Sequence, residues 1–200
     1  MLSTYKTIAN KSEGIYKDKG SKFFSFAVPT QSVDGVKELV KNFKEEFHDA
    51  RHICYAYVIG IEHKEWRAND DGEPPGTAGR PILGQINSRG LTNILVVVVR
   101  YFGGILLGTS GLATAYREAA ADALNHAEIV EKTIDNFFTI RFNYSKINEV
   151  IRLLKEFNGE IFNKNYDKNE YIIEFSIPKK DAALLISKLK NITGLTIEQQ

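Results

Sequence analysis

Hydrophobic and polar positions follow two different periods in the C-terminal third of the chain. Apolar residues recur at every second position in residues 171–177, which predicts a strand with one buried face. They recur every three or four positions in residues 144–157 and 181–189, which predicts two amphipathic helices. Aromatic and β-branched runs predict further strands at 137–142, 160–166 and 193–197.

The predicted order in this part of the chain is β-α-β-β-α-β. Two helices on one antiparallel sheet in that order form the ferredoxin-like arrangement. We therefore expect residues 136–200 to be a ferredoxin-like domain. It contains no histidine or cysteine, so it offers no catalytic constellation.

The N-terminal part is also predicted to mix helices and strands. Residues 94–99 are six consecutive apolar residues, the length of a strand buried on both faces. Ser32 is a candidate N-cap for a helix whose apolar residues have helical spacing. The predicted class is α+β, with an N-terminal domain at 1–133. Its other predicted elements are strands at 22–28, 53–61 and 91–99 and helices at 82–89 and 110–127.

Two long loops, residues 62–81 and 100–108, lie between these elements. The first has few apolar residues and a cluster of glycines and prolines, and the second is glycine-rich. Long loops without secondary structure are unusual in compact domains and are often functional. The residues of chemical interest lie in or beside these loops, which makes the two loops the candidate site.

Charge and cysteine content narrow the class of protein. The formal net charge of +1 argues against a strongly basic nucleic-acid coat and leaves room for a local basic face. Cys54 is the one cysteine, which excludes an internal disulfide. The first residues lack the layout of a signal peptide, and no apolar run reaches the length of a membrane span. We expect a cytoplasmic protein that does not bind membranes.

The first loop carries three acidic residues, Asp70, Asp71 and Glu73, within four positions. They are candidate ligands for a divalent cation, but the spacing is not that of an EF-hand. Turn formation is favoured over metal binding, with Asp70 as a cap and Glu73 paired with Arg80. We expect no tight metal site and no cofactor. Thr77 completes the candidate residues of this loop.

The second loop leaves a buried strand and opens a helix, where backbone amides and the helix dipole attract anions. A P-loop requires Lys after its second glycine, but Thr109 follows Gly108 here, and there is no dinucleotide fingerprint. A weaker anion site is expected, with Thr109 or Ser110 as cap and the amides of residues 110–112 pointing outward. The alternative is that the glycines only allow close packing. The candidate residues are Arg100, Tyr101, Gly103, Gly104, Gly108, Ser110, Gly111 and, from the facing loop, Arg80.

His52 and Cys54 lie two residues apart on a predicted strand and share a face. A Cys–His dyad is a hydrolase signature. Neighbours along one strand rarely have the required geometry, so a buried, structural Cys54 is favoured. No catalytic residue is assigned.

Three blocks of the sequence resemble the signature of the IMPACT family, in its bacterial YigZ branch. They are Ala50-x-His52-x-Cys54-x-Ala56-Tyr57, Asp70-Asp71-Gly72-Glu73-Pro74-x-Gly76-Thr77-Ala78-Gly79 and Arg100-Tyr101-Phe102-Gly103-Gly104. The resemblance implies a two-layer N-terminal domain similar to a small-subunit ribosomal protein and to elongation factor G domain IV. It implies a ferredoxin-like second domain similar to domain V of that factor. Eukaryotic relatives are linked to control of translation initiation, and binding of nucleic acid or the ribosome is the common proposal for bacterial members.

The chain departs from that pattern beside the expected anion site. Many members have Lys at Leu106, Gly at Ser110 and Arg at Thr114. Two basic groups are therefore missing, and phosphate binding should be weaker than the family pattern implies.

The favoured function is a translation-associated regulator without enzymatic activity. RNA or the ribosome is the expected partner, with a protein of translation control as a further one. The alternative is an enzyme acting on a small anionic substrate through Asp70, Asp71, Glu73 and His52. A competing structural role for Arg100 is a buried ion pair with Asp70 or Asp71 that joins the two loops.

Overall fold

The structure, a computed structural model, describes residues 3–167 and 170–200. It divides into two compact units, Tyr5–Lys132 and Thr133–Gln200, the latter including Ser3 and Thr4. The first unit contains β1 (Thr4–Ile8), β2 (Ser12–Asp18), β3 (Ser21–Pro29), α1 (Val33–Glu46), β4 (His52–Ile59), β5 (Glu65–Asn69), α2 (Gly79–Ser88), β6 (Ile94–Tyr101), α3 (Gly108–Asn125) and β7 (Ile129–Thr133). The second contains β8 (Asp135–Asn143), a 3-10 turn (Tyr144–Lys146), α4 (Ile147–Glu156), β9 (Glu160–Asp167), β10 (Glu170–Pro178), α5 (Lys179–Lys190) and β11 (Thr196–Gln199).

The first unit is built on a five-stranded sheet in the order β2-β3-β6-β4-β5, in which every neighbouring pair is antiparallel. The central strand β6 carries the apolar run, and all six of its residues from Ile94 to Val99 have no exposed surface. Val96 and Val98 pack with α2 and α3, whereas Val97 and Val99 pack with α1. The unit therefore has three layers, and the expected two-layer arrangement is wrong because β6 buries both of its faces.

The helix after Ser32 forms as the pattern predicts. Ser32 is the N-cap of α1, and its Oγ accepts a hydrogen bond from the backbone N–H of Gly35 at 3.1 Å. Val36 and Phe43 are the buried residues of this helix. α1 thus covers one face of the sheet and leaves the opposite face to α2 and α3.

Residues 62–81 are not one long loop. Residues Glu65–Asn69 form β5, which pairs with β4 at the edge of the sheet, and α2 already begins at Gly79. Glu65, Trp66 and Arg67 are all exposed. An exposed edge strand has no need of alternating apolar residues, which is why the pattern did not reveal it.

The second unit has the predicted order of elements. Its sheet has the strand order β11-β8-β10-β9, with antiparallel pairs throughout. Alternate residues of β8 and β10 form one core with the apolar faces of α4 and α5. Both helices therefore cover the same face of this sheet.

Over residues 3–167 and 170–200, no helix combines the length and the apolar composition needed to cross a membrane.

Candidate functional site

Three neighbouring strands place Phe23, His52 and Arg100 side by side near one end of the sheet. Arg100 on β6 lies directly opposite Phe23 on β3 and His52 on β4. Directly opposed residues of antiparallel strands project from the same face. This is the face that packs against α2 and α3, because Val98 and Cys54, two residues away along their strands, belong to that core.

Glu73 connects this row to α3 through its carboxylate. Its Oε1 accepts hydrogen bonds from Arg100 Nη1 at 2.6 Å and from the Tyr116 hydroxyl at 2.8 Å, and lies 3.9 Å from His52 Nε2. The side chains of Glu73 and Arg100 are only 3% and 7% exposed. Arg100, and not Arg80, is the partner of Glu73. The expected joining of the two loops through Arg100 occurs, with Glu73 in place of Asp70 or Asp71.

The carboxylate of Asp70 organises the first loop. It accepts backbone hydrogen bonds from Gly76 at 2.8 Å, Ala78 at 3.0 Å and Gly79 at 2.8 Å. Burial alone raises the pKa of Asp70, but the three amides and the nearby charge of Arg80 outweigh it and hold that pKa below its usual value. Asp70 thus acts as the cap that the turn interpretation predicts, at the beginning of α2.

Asp71 and Thr77 also hold the path of this loop. Asp71 accepts a hydrogen bond from the backbone N–H of Ile53 at 2.8 Å and pairs with Lys44 at 3.0 Å. The Thr77 hydroxyl donates to the carbonyl of Pro74 at 2.7 Å. These side chains are engaged within the loop and with β4 and α1, so they shape the site without lining its cavity.

The contacts of His52 define its tautomer. Nδ1 lies 2.8 Å from the backbone carbonyl oxygen of Asp71. A carbonyl can only accept a hydrogen bond, so the proton lies on Nδ1 and, in the neutral ring, Nε2 is the acceptor. Nε2 is the atom that approaches Glu73, so the site holds one basic nitrogen beside one carboxylate.

Cys54 and Tyr116 lie beneath this network in the core. The Cys54 thiol donates to the carbonyl of Asp70 at 3.0 Å and lies 3.3 Å from the Tyr116 hydroxyl. Burial raises the pKa of both groups far above their usual values. Cys54 is therefore a protonated, structural thiol and not the nucleophile of a dyad.

The beginning of α3 lacks a side-chain cap. The helix begins at Gly108 with Leu107 as its N-cap, and the cap residue makes no side-chain hydrogen bond. The expected capping by Thr109 or Ser110 is wrong because the helix begins before both residues. The amides without an intrahelical acceptor are consequently those of residues 107–110, so the expectation is right for Ser110 and wrong for Gly111 and Leu112. Gly111 lies inside the first turn, with space for a Cβ limited by Leu107 at 3.1 Å.

The glycines of the second loop are required for different physical reasons. A Cβ at Gly103 would lie 1.9 Å from the backbone of Gly20, so this position requires close packing against the β2–β3 turn. Gly104 and Gly108 have φ values of +88° and +71°, a region that favours glycine. Close packing therefore explains Gly103, and chain reversal explains the other two.

A cavity of about 400 Å³ lies where β6 ends and α3 begins. We call it the α3 cavity. Its polar lining comes from Arg51, His52, Glu73, Arg100 and Thr109, and Gly108 contributes the beginning of the helix. The Nε of Arg100 is buried and has no hydrogen-bond partner within the described residues. The Arg100 guanidinium also lies 5.6 Å from the ring centroid of Phe102, a further residue of the lining.

Tyr101 lies outside this cavity. Its hydroxyl donates to Asp49 Oδ1 at 2.7 Å, which raises the pKa of Tyr101, and its ring packs edge-to-face on Phe24 at 5.9 Å. A second concave region of about 510 Å³, which we call the aromatic cleft, lies here. It is lined by Gly20, Lys22, Phe24, Phe47, Tyr101 and Phe102.

The structure brings together only part of the predicted site. Arg100, Glu73 and Gly108 line the α3 cavity, together with His52 from the alternative enzyme hypothesis. Arg80 is exposed on α2 and does not line it. Arg51 and Phe102 line the cavity and are not among the residues predicted from the sequence. Thr109, predicted only as a helix cap, lines it as well. Arg51 could have been predicted from its position directly before His52, because that end of β4 faces the second loop.

In residues 3–167 and 170–200, no group of three or more His, Cys, Asp or Glu side chains could hold a metal ion. The two oxygens of Asp70 already accept backbone N–H groups.

The open face of the second unit's sheet also carries exposed aromatics. The rings of Phe137 and Phe162 lie 6.0 Å apart and are about half exposed, whereas Phe138 and Phe142 are buried against the helices. The strand registers place Glu174, Glu198 and Arg141 on the same face as Phe137. The two carboxylates outnumber the arginine, so this face attracts phosphate less than the α3 cavity does.

Comparison with known proteins gives consistent matches to one family. A family model described as the Impact N-terminal domain matches residues 19–124. The chain is 35% identical over 177 residues to IMPACT family member YigZ of Escherichia coli, covering 88% of this chain and 86% of that protein. It is 33% identical over 169 residues to IMPACT family member YvyE of Bacillus subtilis, covering 84% and 78%.

More distant and structural matches agree with these. Protein IMPACT of Homo sapiens is 34% identical over 96 residues, which covers 46% of this chain and 29% of that protein. A crystal structure described as that of a hypothetical protein has a TM-score of 0.75 and 32% identity, covering 98% of this chain and 97% of that chain. The mixed helix-and-strand architecture therefore extends over both units in a solved relative.

Proposed function

Because the chain belongs to the IMPACT family, we propose that it acts in translation as a binding protein that holds phosphate groups of RNA in the α3 cavity. The role in translation rests on the family relationship, and the choice of ligand rests on the geometry of the cavity. As part of the same proposal, the sheet of the first unit with α2 and α3 corresponds to the fold of elongation factor G domain IV, to which α1 adds a third layer, and the second unit is ferredoxin-like.

The observation that carries the proposal is the combination of an uncapped helix start with an exposed arginine in the wall of the same cavity. The amides at the beginning of α3 and the positive end of its dipole favour an anion. Arg51 lines this cavity and is exposed, so its charge is available to a phosphate.

The strength of the expected binding follows from the charges around the cavity. Glu73 neutralises Arg100, so the buried pair contributes little net charge. The remaining positive field comes from the exposed Arg51 and from the helix dipole. Binding of a phosphate should consequently be weak, and its decrease with added salt should be modest, because few phosphates are neutralised.

For the enzyme alternative, two of the four candidate catalytic residues remain. Only Glu73 and His52 of its four candidates line the α3 cavity, because Asp70 and Asp71 are engaged by backbone amides. A basic nitrogen beside a carboxylate is suited to proton transfer. Glu73, however, is already bound by Arg100 and Tyr116, so we favour binding over catalysis.

Replacement of Arg51 tests the proposal. We expect Arg51→Ala to weaken binding of a fluorescent single-stranded RNA about tenfold at low salt, because a charge-assisted contact to phosphate is lost. The slope of log affinity against log salt should decrease by about 0.7, the value for one phosphate of a single strand. Titrations at several salt concentrations measure both quantities.

Arg67→Ala is the matched control, because Arg67 is an exposed arginine on β5 outside the cavity. Equal losses in the two variants would mean general attraction to surface charge. That result, or no RNA binding by the unaltered protein at low salt, contradicts the proposal.

A further inference from the structure

The α3 cavity and the aromatic cleft meet at one side chain. Phe102 lines both, and it is 43% exposed. One face of the site therefore offers a position for an anion, and the adjoining face offers a position for an aromatic group. A nucleotide carries both groups within one residue of its chain.

The aromatic cleft has the composition of a stacking surface. Tyr101, Phe102, Phe24 and Phe47 supply ring faces and edges, and Lys22 supplies a positive charge. The Tyr101 ring is held by its hydrogen bond to Asp49 and by Phe24. A ring that is already fixed loses little conformational freedom when a base stacks on it.

We propose that the protein binds single-stranded RNA, with one unpaired base stacked in the aromatic cleft and an adjoining phosphate in the α3 cavity. The inference rests on the proposed function, since it assumes that the phosphate belongs to RNA. Proteins that bind single strands combine positive charge along the backbone with aromatic side chains on which bases stack. Bases of a duplex are already stacked and paired, so they cannot enter the cleft.

The arrangement of Phe102 and Arg100 explains why the two positions act together. The Arg100 guanidinium lies 5.6 Å from the ring centroids of both Phe102 and Phe23. Phe102 thus covers the arginine at the α3 cavity while its exposed surface adjoins the aromatic cleft. A base that stacks on Phe102 brings its phosphate to the beginning of α3.

Binding of three probes to two variants tests the inference. The probes are a ten-nucleotide single-stranded oligouridine, an RNA duplex of the same length, and inorganic polyphosphate, which has no bases. Phe102→Ala should weaken binding of the single strand about tenfold and weaken binding of polyphosphate much less, because base stacking is lost from the single strand alone. Phe102→Trp should retain the affinity for the single strand, and its fluorescence should change when the base stacks. The unaltered protein should bind the single strand more tightly than the duplex.

Trp66→Ala is the matched control, since Trp66 is an exposed aromatic residue on β5 outside both regions. Loss of single-strand binding by Arg51→Ala but not by Phe102→Ala would overturn this inference and leave the proposed function standing. Equal loss of single-strand and polyphosphate binding in Phe102→Ala would also overturn it, because the ring would then only shape the α3 cavity. If none of the probes binds the unaltered protein, the proposed function fails together with the inference.

Discussion

The Glu73 carboxylate determines both the stability and the charge of the α3 cavity. It accepts hydrogen bonds from Arg100 and Tyr116 while it is almost fully buried. A buried ion pair contributes little compared with apolar residues of the same size, but the loss of one partner leaves an uncompensated charge. Replacement of Glu73 therefore shows how much of the free energy of unfolding depends on the neutralisation of Arg100.

We expect Glu73→Ala to lower the free energy of unfolding by about 3–5 kcal/mol, because Arg100 is left buried without its counter-ion. Unfolding in urea, followed by circular dichroism, measures the change. Glu45→Ala is the control, since its pair with Lys41 is exposed and 3.7 Å long, and the expected change is below about 0.5 kcal/mol. A loss of less than about 1 kcal/mol in Glu73→Ala would show that the pair is not important for stability.

For individual residues, the sequence predicts the right loops but not all of the contacts. The place of Arg100 between a buried strand and a helix makes it a candidate site residue, and a buried ion pair is one of the two roles predicted for it. The identity of its partner depends on the path of the first loop, which Asp70 determines through three backbone amides. Such a path is a tertiary property, and the spacing of acidic residues does not encode it.

The first loop and α2 form the element that depends most on one ionised group. The folded-state pKa of Asp70 lies below its ordinary value, so its stabilising contribution is fully present above the unfolded-state pKa, about 3.9. The contribution decreases as the pH falls through the folded-state pKa. The loop that carries Glu73 should thus loosen in acid before the core of the sheet does.

Asp70→Asn should destabilise the protein by about 1–2 kcal/mol at neutral pH, because the amide nitrogen of Asn cannot accept an N–H hydrogen bond. The difference in the free energy of unfolding between the two proteins should begin to decrease as the pH falls below about 3.9, the unfolded-state pKa. It should disappear only below the folded-state pKa, where Asp70 is protonated in both folded and unfolded chains. Urea unfolding at pH 3 to 8 provides the measurement. A difference that is constant over this range, or grows in acid, would contradict the role assigned to the carboxylate.

Among the helices and strands, periodicity predicts every helix and most of the strands, but not the four strands β1, β2, β5 and β7. α1, α4, α5 and β6 have apolar residues at the spacing of their structure, and each forms near its predicted bounds. β5 is an exposed edge strand and carries no such pattern. The beginning of α3 was placed too late because the sequence offered capping residues at 109 and 110, whereas the helix begins with a glycine at positive φ.

For the whole molecule, the division into two units predicts that the first unit folds without the second. The first unit contains two cores, one on each face of its sheet, and both consist of residues from this unit. We expect a fragment of residues 1–135 to fold alone, since its apolar surface is buried within itself. Cooperative urea unfolding and dispersed amide resonances would show this. A fragment without a cooperative transition would mean that the predicted domain boundary at 133–136 is not a folding boundary.

The sequence does not predict that the first unit has three layers. The run at 94–99 indicated a strand buried on both faces, and α1 was predicted to have an apolar face. The sequence did not show which side of the sheet α1 covers, because the amphipathic pattern of a helix is the same on either side. The third layer follows only from the packing of Phe43 and Val36 with Val97 and Val99.

The central strand β6 has a consequence for how the protein behaves once it is unfolded. Ile94–Val99 is a six-residue segment of high β-propensity without charge, proline or glycine, and the folded protein hides all of it. Such segments assemble with copies of themselves when chains expose them. Heating should therefore end in aggregation instead of reversible refolding, so that the midpoint of a thermal scan depends on the scan rate. The concentration of unfolded chains, and not only the free energy of folding, then governs how long the protein remains in its native state.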